Sequence, residues 1–263
     1  ALKRAVERCL AKVPSGDKCC SSAGANCGDA GTTDMPSWDT SLVTDMSSLF
    51  ENKQSFNQDI SNWNVGNVTS MEKMFYHAYA FNQDLSRWNV GEVRNMASMF
   101  HFAKSFNQDI SNWDVSKVTS MSFTFYWATA FNQDLSRWNV GAVRSMSYMF
   151  NSAKAFNQDL SRWDVSNVTS MSYMFQAATS FSANITGWVP ALNAYGCTDM
   201  FKGATAWFNS YTNCGYDSSD TAVCTAATYP ASSSLYNGPP GAWVRSAPFP
   251  HPPSPSTHPS PPP

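Results

Sequence analysis

Charge is what this chain has least of. Only 14% of its 263 residues are Asp, Glu, Lys or Arg, and 17 basic residues nearly cancel 19 acidic ones, for a formal net of −2. Nucleic-acid partners select strongly basic faces, so no such partner is expected. No apolar run approaches the roughly 20 residues that cross a bilayer, so no membrane span is expected either. Gly-rich phosphate loops, HExxH and GxSxG are all missing. The four histidines are scattered: His77 and His101 fall on what reads as the outer face of the repeated region, His251 and His258 in the C-terminal tail. An enzyme needs a singular constellation, yet almost every polar residue here has a copy 25 residues away. The chain reads as a non-enzyme, without catalytic residues or cofactor, whose function lies in its surfaces.

Cysteine is missing from the middle. Cys9, Cys19, Cys20 and Cys27 precede the repeated region, and Cys197, Cys214 and Cys224 follow it. Thiols confined to the ends read as disulfide staples of two caps, formed in an oxidising, extracellular or cell-surface compartment. Zinc is the weaker alternative, because no Cys-x-x-Cys knuckle is present and no His is near. Seven is odd, which leaves one thiol free or available to another chain. The chain begins at Ala1 with no signal peptide; a removed leader, or a longer parent chain, would account for both.

What is present is a period. Tryptophan recurs every 25 residues, at Trp38, Trp63, Trp88, Trp113, Trp138, Trp163 and Trp188. Such register belongs to stacked coils, each burying its apolar face on the next. In the coil from Trp63 to Arg87, Met71, Met74, Phe75 and Ala78 have the i, i+3, i+4, i+7 spacing of a short helix, with Thr69 and Glu72 placed as a capping box. Phe81 and Leu85, with Gln83 between them, fit a very short strand. Stacking would align these strands in a parallel sheet, so the expected fold is an α/β solenoid with one short strand and one short helix per 25-residue coil. Thr124 stands where other coils carry Met, so its coil is expected to pack least well.

Four segments follow. Residues 1–36 form a helical, disulfide-stapled cap, in which Leu2, Val6, Cys9, Leu10 and Val13 share a helix face that Pro14 and Gly16 end. Residues 37–207 form the solenoid, whose last copy slips by one residue at Met200, Phe201, Ala204 and Trp207. Residues 208–236 form a second stapled cap. Residues 237–263, with 11 prolines in 27 positions, form an extended polyproline II tail.

Polar ladders run along the array. Asn57, Asn82, Asn107, Asn132 and Asn157 are expected to tie down turn backbone. Asp59, Asp84, Asp109, Asp134 and Asp159 either cap turns or hold calcium between coils; Asn184 in the Asp position favours capping. Asn67, Asn167 and Asn184 head glycosylation sequons, the first two in accessible loops and the third more buried.

The coil FNQDISNWNVGNVTSM, followed by MF and Ala, closely resembles the 25-residue repeat of BspA-like and mycoplasma-type surface proteins, distant relatives of leucine-rich repeats. The likeness covers about residues 36–207. The segments CCSS, NCG and MPSWDTSLVTDM look like the N-terminal module of such proteins in unicellular algae, and the tail is similar to hydroxyproline-rich glycoproteins of algal walls. The resemblance implies a leucine-rich-repeat-like solenoid outside the cell, in adhesion or surface structure, and brings no catalytic residues. It departs from bacterial members in the Cys-bearing caps and the tail. It also makes Pro252, Pro253, Ser254, Pro255, Ser256, Pro259, Ser260 and Pro261 hydroxyproline or O-glycan candidates. Two functions are expected. One is a secreted structural glycoprotein, the subunit of an extracellular filament, sheath or flagellar appendage, self-associating into a homopolymer through solenoid ends and tail. The other is an adhesion module that grips a glycan or protein on the strand face, along Asn62, Arg87, Asn112, Arg137 and Arg162.

Overall fold

The structure is a computed structural model that describes residues 1–188, 196–213 and 243–245. Cys214, Cys224, nearly all of the expected second cap and the tail candidates at 252–261 lie outside the described residues.

Helix α1 (Leu2–Lys12) buries Val6, Cys9 and Leu10 and ends just before Pro14. Cys9 is bonded to Cys19 and Cys20 to Cys27. Gly16 presses this module onto the first coil. Its φ is +88°, and a Cβ there would lie 3.0 Å from Gln58 Cβ and 3.3 Å from the Phe56 ring, so only glycine fits.

From Trp38 onward the chain is a stack of coils held by columns of like side chains. Phe50, Phe75, Phe100, Phe125, Phe150 and Phe175 stack with centroids 5.5–5.7 Å apart. A second column runs from Phe56 through Phe81, Phe106, Phe131 and Phe156 to Phe181. All of these rings are fully buried. Burying each contributes about 1.5–3 kcal/mol. The tryptophans add a bond that tolerates no other side chain. Along the 25-residue ladder from Trp63 to Trp188 each indole N–H donates to a backbone carbonyl 28 residues earlier, as Trp113 does to Leu85 (3.0 Å) and Trp138 to Ile110 (3.0 Å), whereas Trp38 donates to Thr33.

The α/β solenoid with a parallel sheet is not what forms. Within each coil the expected helix is a run of overlapping turns. Met74, Tyr76 and Ala78 donate backbone N–H to Met71, Lys73 and Phe75, three residues back, while Lys73 and His77 adopt φ of +55° and +57°. A left-handed residue at every fourth position breaks the i to i−4 ladder of a helix. The alternate N–H groups of Met71, Lys73, Phe75 and His77 instead point forward and bond Asn95, Ala97, Met99 and His101 of the next coil. The capping-box pair fails for the same reason: Thr69 donates both its N–H and its hydroxyl backward, to the Thr44 carbonyl.

The expected strand at Phe81–Leu85 is missing because the Asn ladder usurps its partner. Asn82 N–H donates to the side-chain Oδ1 of Asn57 (2.9 Å), where a sheet would offer a main-chain carbonyl. Among the described residues, parallel bridges survive only one residue long, through Asp45, Ser70, Asn95, Ser120, Ser145 and Ser170.

Past the regular coils, the forward bond from Tyr173 reaches Thr198, one residue farther than its equivalents, so the anticipated slip is real. Phe201 and Trp207 still extend the two Phe columns, at 5.9 and 5.7 Å. Trp207 sits on α2 (Thr205–Ser210). Strands β1 (Tyr211–Asn213) and β2 (Trp243–Arg245) pair antiparallel there, forming the one sheet among the described residues. Trp243 packs edge-on against Phe201 and Trp207.

Candidate binding surface

The left-handed positions decide what the turns show to solvent. They recur twice per coil, at Ser48 and Asn52, then Lys73 and His77, Ser98 and Phe102, Phe123 and Trp127, Tyr148 and Ser152, Tyr173 and Ala177. Glycine would meet the requirement freely, and Asn52 meets it at small cost. Phe102, Phe123, Trp127, Tyr148 and Tyr173 hold φ between +55° and +60° with bulky side chains. Such residues are conformational outliers that cost about 1–3 kcal/mol each. The fold needs the backbone there, not the rings.

The rings join into a half-buried run. Phe123, Tyr148 and Tyr173 stack at 4.5 Å intervals. Tyr76, His101 and Tyr126 follow one another at 4.5 Å in the adjacent column, and Phe102 and Trp127 lie 5.4 Å apart in a third. Tyr126 contacts both Phe123 (5.8 Å) and Tyr148 (6.1 Å), so the columns form one surface. Lysines edge it: Lys104 Nζ lies 4.6 Å from the Tyr79 centroid and Lys154 Nζ 5.8 Å from that of Trp127. The second and third columns end where Asn151 and Ser152 turn inward and bond each other.

His77 and His101 are embedded in this run rather than solvated. His77 Nε2 and His101 Nδ1 are buried without a hydrogen-bond partner. Burial, helped by neighbouring His77 and Lys73, pushes His101 from the ordinary 6.5 down to about 4, and burial lowers His77 as well. Both are neutral, weakly hydrated parts of an aromatic wall at pH 7.

The residues singled out in the sequence lie elsewhere on the coils. Asn62, Arg87, Asn112, Arg137 and Arg162 are all exposed. The Asp ladder caps turns. Asp59, Asp84, Asp109, Asp134 and Asp159 each accept the N–H of the serine two residues on, at 2.8–2.9 Å. The Ser86 backbone N–H and hydroxyl thereby hold the Asp84 carboxyl below its usual range. Asn67 and Asn167 are exposed, each donating one amide hydrogen to a carbonyl of the preceding coil. Asn184 is exposed too, contrary to expectation, with Oδ1 accepting from Thr186. Cys197 forms no disulfide among the described residues; burial raises its thiol to about 12, which makes it a poor cross-linker. Thr124 is buried, and its hydroxyl donates to the Met121 and Met96 carbonyls.

A family model described as "Mycoplasma protein of unknown function, DUF285" matches residues 20–125 and again residues 107–214. No curated protein and no solved structure matches the chain. No helix among the described residues is long and apolar enough to cross a membrane.

Proposed function

The chain belongs to the mycoplasma-type DUF285 repeat family, whose model spans well over half of it, and from that premise we propose that it is a BspA-like structural subunit outside the cell. It self-associates into a homopolymer (a filament, sheath or appendage) through its Pro-rich tail. The observation that carries this reading is the unbroken pair of ring columns from Phe50 and Phe56 to Phe201 and Trp207. A stack in which sequence neighbours are spatial neighbours is a stiff strut, suited to bearing and spacing rather than to closing on a substrate. The two disulfides support an oxidising compartment. N-glycans at Asn67 and Asn167 would stand on exposed turns. Sedimentation and electron microscopy of the full chain test the reading: concentration-dependent polymers are expected, and a chain that stays monomeric at all concentrations refutes it.

The adhesion reading keeps one specific support, the exposed row from Asn62 to Arg162. A glycan array probed with the full chain and with Arg87→Ala/Arg137→Ala tests it; loss of a binding signal in the variant is the expected result.

A further inference from the structure

We infer that the aromatic run is the dock for the proline-rich segment 246–263 of a second copy of this chain. This rests on the self-association reading above and names the surface that would serve it.

Three observations converge. The first is the cost of the surface. Phe102, Phe123, Trp127, Tyr148 and Tyr173 occupy left-handed positions at φ of +55° to +60°, where the same fold elsewhere uses Ser48, Asn52, Ser98 and Ser152. Rings kept at strained positions, half-exposed and contiguous over four successive coils, point to a ligand for their faces.

The second is the chemistry of the segment. Residues 246–263 read SAPFPHPPSPSTHPSPPP, with nine prolines and no acidic or basic residue other than two histidines. Proline-rich chains preset the polyproline II helix and dock on aromatic-lined surfaces with little entropy to lose. Tyrosine hydroxyls can donate to the carbonyls that this helix leaves unpaired.

The third is dimensional. Polyproline II advances about 9.3 Å per three-residue turn. Hydrogen-bonded coils lie about 4.8 Å apart, so two coils span about 9.6 Å. Prolines three apart, such as Pro250 and Pro253, Pro252 and Pro255, or Pro259 and Pro262, would therefore meet rings two coils apart, such as Tyr76 and Tyr126.

The sequence at the root of the segment favours a neighbouring copy as donor. Ala247 and Phe249 each precede a proline, which disfavours the compact conformations needed to double back. Eighteen residues extended this way cover about 56 Å. The ring surface from Tyr76 to Tyr173 takes about 19 Å of that, at four coil spacings. The remainder suffices to cross a junction between subunits.

The test uses the full chain and its variant Phe102→Ser/Trp127→Ser/Tyr148→Ser. Serine already occupies both left-handed positions in other coils, at Ser98 and Ser152, so the variant keeps a backbone this fold accepts; an unchanged far-ultraviolet circular dichroism spectrum with a cooperative melt verifies folding. Sedimentation is read with and without excess synthetic peptide 246–263. The expected result is polymer in the unmodified chain, at least a tenfold rise in the half-assembly concentration for the variant, and dissolution of polymer by the peptide but not by one with its prolines changed to Ala. Polymer formed equally by the variant, or indifferent to the peptide, overturns the dock while leaving self-association standing. A monomeric full chain overturns both, including the case where the segment lies on its own subunit.

Discussion

Replacing Trp138 with Phe puts a number on the stack. Trp138 is buried, stacks on Trp113 at 6.4 Å and donates its indole N–H to the Ile110 carbonyl at 3.0 Å. Phenylalanine keeps a ring in the column but removes the indole bond, leaving that carbonyl the Trp113 backbone N–H alone (3.2 Å), at about 0.5–1.5 kcal/mol. The lost atoms leave a void of roughly 35 Å³, which adds about 1 kcal/mol. The total of about 1.5–2.5 kcal/mol is large for the exchange of one buried ring for another. It falls in mid-array, where each coil is stabilised by the neighbours on both sides. Urea unfolding followed by far-ultraviolet circular dichroism measures it. The adjacent exposed Arg137→Ala is the control and should stay within about 0.5 kcal/mol of the unmodified chain. If Trp138→Phe costs no more than that control, the indole bond does not couple coils and the account of the period fails.

Further outcomes follow from other features. Thr124 fills a slot that Met74, Met99, Met149 and Met174 fill in other coils; Thr124→Met should gain about 1 kcal/mol from added apolar burial, and a lower melting temperature would mean the coil has closed over the smaller side chain. His101 is neutral when folded down to about pH 4, whereas its unfolded form binds a proton near 6.5. The unfolded state thus holds more protons in that window, so stability falls as pH drops from 6.5 toward 4 and levels off below. His101→Phe should flatten that part of a melting-temperature profile, and an unchanged slope would place the effect elsewhere. Replacing Cys20 and Cys27 with Ser, which opens a loop of sequence separation 7, should cost the N-terminal end about 2–3 kcal/mol. Hydrogen exchange should then quicken in α1 while coils beyond Trp88 stay protected; global loss of protection would contradict independent end closure.

The stacking, its register and helix α1 were legible because tryptophan every 25 residues and the face of Val6, Cys9 and Leu10 have no competing explanation. The internal shape of the coil was not. Met71, Met74, Phe75 and Ala78 carry helical spacing, yet a run of turns with a left-handed residue at each fourth place buries the same positions. Glycine or asparagine would have flagged those places, but only Asn52 does so; Lys73, His77, Phe102 and Trp127 carry no such mark. The aromatic wall was hidden by the same misreading, since His77 and His101 read as the outer side of a helix. A count of rings outside the buried register would have exposed it.

The forward bonds of each turn have one last consequence. Main-chain N–H groups at Met71, Lys73, Phe75 and His77 face one way along the axis, while those at Thr69 and Ala80 face the other. Each end of the array is therefore a distinct template of donors and acceptors, matched by translation and mismatched by any two-fold rotation. Like ends brought together would set donor against donor. Such an object has a sense, as a screw does, and its two terminations cannot be interchanged. A disulfide-bonded helix closes one and a tryptophan-bearing strand pair the other because each must answer a different pattern.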